Sequence, residues 1–176
     1  MGSSNLKLSA IGILLIIFAI LIISTFFING DEAGSYVDLS INPALQTVEI
    51  GKEFSINILI DPANNPITAA QFDLIFNGSV IEIRNVDAGD LFKQSGATTI
   101  FNSGTLDNSG GTLINVWGLI TMPGANVTSK GTLVTIKMIT LEAGISPLKV
   151  KNVIISDTYG RSVQVHSING TVEVIE

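Results

Sequence analysis

The only histidine, His166, alternates with Val163 and Val165, which places it on the polar face near the end of a strand. A general base needs a nucleophile within reach, and no Ser or Cys nucleophile motif accompanies it, so a solvated strand histidine is the better reading. Two carboxylates can share acid and base work as in glycoside hydrolysis, and Asp87 and Asp90 are close in sequence. The segment Asp87-Ala88-Gly89-Asp90 reads more simply as turn chemistry followed by a helix cap. Asp107-Asn108-Ser109-Gly110-Gly111 has too few acids for an EF-hand loop and reads as a polar turn. These patterns predict no catalysis, no metal centre and no cofactor.

Recognition is better supplied. In Leu113-Ile114-Asn115-Val116-Trp117-Gly118-Leu119-Ile120, alternation predicts that Ile114, Val116 and Ile120 face a core and that Asn115 and Trp117 face outward. An outward tryptophan on a sheet can anchor a protein partner or form a platform for a sugar ring. Against that stands the tendency of tryptophan to be buried, here under a neighbouring loop. Three sequons begin at Asn77, Asn126 and Asn169, all in expected turns, and would be glycan acceptors in an exported domain. Asn-Gly is also the favoured tight hairpin turn, which accounts for Asn77-Gly78 and Asn169-Gly170 without sugar.

The elements that position these residues fall into two parts. From Leu8 to Gly30 the chain has 23 residues without a charge. A helix of that length reaches roughly 34 Å, enough to cross a hydrocarbon core of about 30 Å. The apolar core is longer than that of a cleaved signal peptide, and no clean small-x-small site follows it. Lys7 precedes the run and Asp31 and Glu32 follow it, so the amino end is expected inside. The expected organisation is a cytoplasmic amino terminus (1–7), a transmembrane signal anchor (8–30), a short stalk (31–35) and one extracellular domain (36–176). Beyond the span, eight Lys/Arg face fifteen Asp/Glu with no basic cluster, which argues against a nucleic-acid partner. With no cysteine, the domain must hold together by its core.

That domain reads as all-β. Phe54, Ile56, Ile58 and Ile60 alternate with their neighbours, as do Phe72, Leu74 and Phe76, then Val134, Ile136 and Met138, then Val172 and Val174. Turn signals such as Asp61-Pro62, Pro123-Gly124 and Tyr159-Gly160 separate the runs. Strands at this spacing predict a sandwich or barrel of about nine antiparallel strands, with at most one helical turn at Asp90–Gln94.

Val48-Glu49-Ile50-Gly51-Lys52-Glu53-Phe54-Ser55-Ile56 is followed by Ala69 to Asn77 with Val80-Ile81-Glu82-Ile83, and by Gly89-Asp90-Leu91-Phe92. Then come Gly131-Thr132-Leu133-Val134-Thr135-Ile136 and a closing Asn169-Gly170-Thr171-Val172-Glu173-Val174. In this order and spacing the chain resembles a cohesin domain over roughly Val37 to Ile175. The resemblance implies a nine-stranded jelly-roll β-sandwich, related in fold to some cellulose-binding modules. One flat sheet face would dock a dockerin domain, with the calcium carried by that partner. Where the family often has an acidic or amide pair, this chain has Ala69, Gln71 and Asp73. Family topology would set their strand in one sheet with Asn115 and Trp117 and with Thr135 and Lys137. The expected docking patch is therefore Gln71, Asp73, Asn115, Trp117, Thr135 and Lys137.

The resulting expectation is a non-catalytic receptor tethered in the cell membrane by a single span, docking a dockerin-bearing protein such as a polysaccharide-degrading enzyme or a structural surface component. A carbohydrate-binding module is the second reading. It needs aromatics lined on one face, and Trp117, Tyr36 and Tyr159 are far apart in the chain. A pilin-like filament subunit is the third; the chain has neither a basic leader ending in a cleavable Gly nor an early acidic residue in the helix.

Overall fold

A computed structural model of the chain describes residues 36–176, and the expected anchor and stalk lie outside the described residues. Among the described residues no helix is long and apolar enough to cross a membrane. They form twelve strands: β1 (Val37–Asn42), β2 (Leu45–Glu49), β3 (Glu53–Asp61), β4 (Ile67–Ile75), β5 (Ile81–Ala88), β6 (Thr99–Asn102), β7 (Thr105–Asp107), β8 (Thr112–Ile120), β9 (Gly131–Thr140), β10 (Gly144–Asp157), β11 (Val165–Ile168) and β12 (Gly170–Ile175). A 3-10 turn at Phe92–Ser95 matches the single expected helical turn to within two residues. The excess over nine comes from pieces such as β6, β7 and β11, which at three or four residues are too short to show an alternation.

The strands make two sheets. The first runs β11-β1-β3-β9-β5; the second runs β2-β12-β10-β4-β8-β6, with β7 also paired to β8. The all-β sandwich reading holds, but the sheets are not wholly antiparallel. β1 lies parallel to β11, and β2 lies parallel to β12. These two contacts are one device: the segments 37–49 and 165–175 run side by side and change sheets together, between Asn42 and Leu45 on one and at Asn169 on the other. The Thr171 amide donates to the Ala44 carbonyl at the crossing, 2.8 Å away.

The core follows the alternation. Phe54, Ile56, Ile58 and Ile60 of β3 and Phe72 and Leu74 of β4 meet Val134, Ile136 and Met138 of β9 and Val172 and Val174 of β12, all buried. Each such side chain stabilises the fold by about 1.5–3 kcal/mol relative to exposure.

The two Asn-Gly pairs are not hairpins. Asn77-Gly78 joins β4 in one sheet to β5 in the other, and Asn169-Gly170 joins β11 to β12 across the same gap. Glycine is required there by close approach. A Cβ on Gly78 would lie 2.0 Å from the Asn108 carbonyl oxygen, and one on Gly170 would lie 2.9 Å from Ile41 Cγ2.

Candidate functional site: the outer face of the β10-β4-β8-β6 sheet

In β4, Phe72 and Leu74 point into the core, so Ala69, Gln71 and Asp73 point outward as the alternation requires. In β8 the alternation is broken. Phe72 pairs with Val116 but Leu74 pairs with Leu113, so Ile114 and Asn115 together oppose Asp73 in a bulge. Asn115 takes φ +60°, a conformation that asparagine tolerates better than most residues. Leu113 is consequently the buried residue, and Ile114, expected inward, is exposed. Beyond the bulge the expected register resumes: Val116 and Ile120 face the core and Trp117 faces outward, partly buried.

β10 has a matching irregularity on the other side of β4. Asp73 pairs with Lys151 and Gln71 with Ile154, so Asn152 and Val153 are accommodated in a second bulge, with Asn152 at φ +49°. One carboxylate serves both. Asp73 Oδ1 accepts from the Asn115 amide at 2.8 Å, and Oδ2 accepts from Asn152 Nδ2 at 2.6 Å. Hydrogen bonds to a charged acceptor are among the stronger ones, so Asp73 is a staple holding the distortions of its two neighbours in place.

The pairing builds two rows across the face. Asn102, Trp117, Gln71 and Ile154 lie side by side, and next to them Ile100, Leu119, Ala69 and Ser156. Ile100 and Ile154 are about half exposed, at 48% and 50%. Ala69, Gln71, Trp117, Leu119, Ile154 and Ser156 line a shallow depression of about 240 Å³. An aromatic ring in a depression, bordered by aliphatic groups and amides, is the composition of a protein-docking hot spot. Gln71, Asp73, Asn115 and Trp117 are thus brought together as expected.

Thr135 and Lys137 are not. They lie on β9 in the other sheet, on the opposite outer face of the sandwich. There Thr135 Oγ1 donates to Asn57 Oδ1 at 2.7 Å, and Lys137 Nζ sits 3.0 Å from Asp87 Oδ2. Sequence reasoning also missed Ile100, Leu119 and Ile154. The signal for Ile154 was the pair Asn152-Val153, which interrupts the alternation that Leu148 and Val150 begin.

Elsewhere several of the polar groups that the sequence singles out are engaged in the fold. Asp87 belongs to β5 rather than to a turn, and hydrogen bonding from Lys137 and then Asn85 holds its carboxyl below the usual range against the opposing effect of desolvation. Asp90 does not cap the 3-10 turn; its Oδ1 accepts from the Thr132 amide at 2.8 Å. Asp107 closes the expected polar turn, where the Gly110 amide and the Ser109 hydroxyl lower its pKa. His166 is exposed on β11, with Nδ1 3.1 Å from Asp38 Oδ1. Among the described residues no group of acids and histidines could hold a metal ion. The aromatics named for a sugar platform do not share a face: Tyr36 borders Asp38 and His166 beside β11 of the other sheet, and Tyr159 sits in the turn after β10. Asn77 and Asn169 are exposed, and Asn126 is half-buried in the loop before β9.

Residues 39–174 match the family described as the cohesin domain. No curated protein matches the chain significantly. Among solved structures, the non-cellulosomal cohesin of the hyperthermophilic archaeon Archaeoglobus fulgidus is similar at 17% identity and TM-score 0.62, covering 81% of this chain and 93% of that one. The cohesin CaCohA2 of Clostridium acetobutylicum gives 20% identity and TM-score 0.62, covering 80% and 92%. A chain of the type I cohesin–dockerin complex Coh-OlpA-Doc918 from Clostridium thermocellum gives 16% and 0.65, covering 80% and 100%. At these identities the likeness is one of fold.

Proposed function

The chain belongs to the cohesin family, a family of binding modules, and on that premise we propose that the outer face of the β10-β4-β8-β6 sheet docks a dockerin-bearing protein without catalysis. The observation that carries this reading is the depression around Trp117. It collects an indole and two aliphatic side chains, Leu119 and Ile154, on the outside of a sheet, and Ile100 stands beside Leu119 on the neighbouring strand. The cohesins known in complex with dockerins support it by fold. The calcium belongs to the partner. The uncharged run 8–30 tethers the domain in the cell membrane, with residues 36–176 outside.

The test of docking is titration of the chain with purified calcium-loaded dockerin domains, with and without chelator. Binding should require calcium and should be lost in Trp117→Ala. A Trp117→Ala variant that binds as wild type does would refute the face. For the tether, protease added to intact cells should remove the domain. A freely secreted protein beginning near Gly34 would refute that part.

A further inference from the structure

Half of the domain's cations are paired within it. Lys52, Arg84, Lys137 and Arg161 each meet a carboxylate within 4.0 Å. Among the described residues Lys93, Lys130, Lys149 and Lys151 have no such pair, and two of these stand together on the docking sheet. Leu148 and Val150 point into the core, so Lys149 and Lys151 alternate outward from β10, both exposed.

The nearest acid on the face is already engaged. Lys151 lies directly across from Asp73, and Lys149 across from Ile75. Both Asp73 oxygens are occupied by the Asn115 amide and the Asn152 side chain, and no ion pair forms with Lys151. Two lysines and one aspartate leave a local charge of +1. Over residues 36–176 the count is thirteen Asp/Glu against eight Lys/Arg, a charge of −5. A partner rich in carboxylates is therefore repelled by the domain as a whole and attracted at this patch. That contrast selects orientation as well as partner.

We propose that the partner places carboxylates over Lys149 and Lys151 while its apolar side chains cover Trp117, Leu119, Ile100 and Ile154. This rests on the docking face described above. Exposed complementary charges steer the encounter, so association is faster at low salt and slows as salt screens the pair.

The test uses the full chain and two calcium-loaded dockerin probes that differ only in carrying Asp/Glu or Lys/Arg on the surface they present to the chain. Association rate and affinity are followed at low salt and at roughly 1 M salt, where the screening length is about 3 Å. The acidic probe should bind more tightly than the basic one, and salt should narrow the gap. Lys149→Glu with Lys151→Glu should weaken the acidic probe about tenfold, leave the melting temperature unchanged and restore binding of the basic probe. A double variant that keeps wild-type affinity for the acidic probe while Trp117→Ala loses it overturns the charge assignment alone, as does a wild type preferring the basic probe. If neither probe binds, or if the double variant and Trp117→Ala both bind normally, the face itself is refuted.

Discussion

The two outer faces of the sandwich solve the same problem differently. On the β11-β1-β3-β9-β5 sheet, outward side chains satisfy one another: Thr135 with Asn57, Lys137 and Asn85 with Asp87, His166 with Asp38. On the β10-β4-β8-β6 sheet the Asp73 carboxylate is taken up by its two neighbouring strands, and the surface around it sets an indole, aliphatic carbon and two unpaired ammonium groups among the amides of Gln71 and Asn102. A face that pairs with itself has little left for a partner. A face that leaves apolar surface and cations in water gains when another protein covers them.

That contrast can be broken most directly at Trp117. Trp117→Ala is expected to cost on the order of 2 kcal/mol of dockerin binding, about 30-fold in Kd, with a nearly unchanged melting temperature. Thr135→Ala, on the other sheet, should leave Kd unchanged. Calorimetry on both variants reads the difference, and a Thr135→Ala variant that binds poorly would show that the faces have been assigned the wrong way round.

Next in size is Asp73→Ala, which frees two bulges at once. It should lower stability by about 0.5–1.5 kcal/mol, since two exposed bonds to the carboxylate are lost and their donors turn to water. As Trp117 is the only tryptophan, the loosened strand should shift its emission. An unchanged spectrum and unchanged stability would mean that the bulges hold themselves.

A pH-dependent effect belongs to Asp157, the buried last residue of β10. Desolvation pushes its pKa up, but it is outweighed by hydrogen bonds from the Arg161 amide and side chain and the Tyr159 amide, so the net shift is downward. A carboxyl whose folded pKa lies below its unfolded value contributes stability at neutral pH, which fades below the unfolded pKa and is gone below the folded one. Chemical denaturation between pH 6 and strongly acid conditions should show this loss, and Asp157→Asn should reduce the slope.

The smallest effect is expected at Lys137. Its ion pair with Asp87 is exposed, so Lys137→Ala should not measurably change either melting temperature or docking. A large drop in either would show that the self-paired face has a role beyond solubility.

Local alternation made the inward set of β3, β4, β9 and β12 readable, because a period of two with one buried face leaves no other arrangement for Phe54, Ile56, Ile58 and Ile60. It failed at Ile114 because a bulge adds one residue to one strand, and Asn115 at positive φ has no apolar signature. The placing of Thr135 and Lys137 failed for a different reason. Alternation says which residues of β9 face outward but not from which sheet, and that is decided by pairing with β3 and β5, far away in the chain. Gln71, Asp73 and Trp117 were legible because they flank the buried Phe72 and Val116. Ile154 was not, because it follows an interruption on a strand whose start alone looks regular.

The paired crossing of the first and last segments has a mechanical consequence. Residues 37–49 and 165–175 run in the same direction, so Val37 and Ile175 mark opposite ends of one ribbon. A pull applied between those ends loads the ribbon lengthwise. The rungs joining β1 to β11 and β2 to β12 then share the force and must give way together, in shear, before the ends can part, whereas a hairpin drawn open from its free ends would unzip one rung at a time.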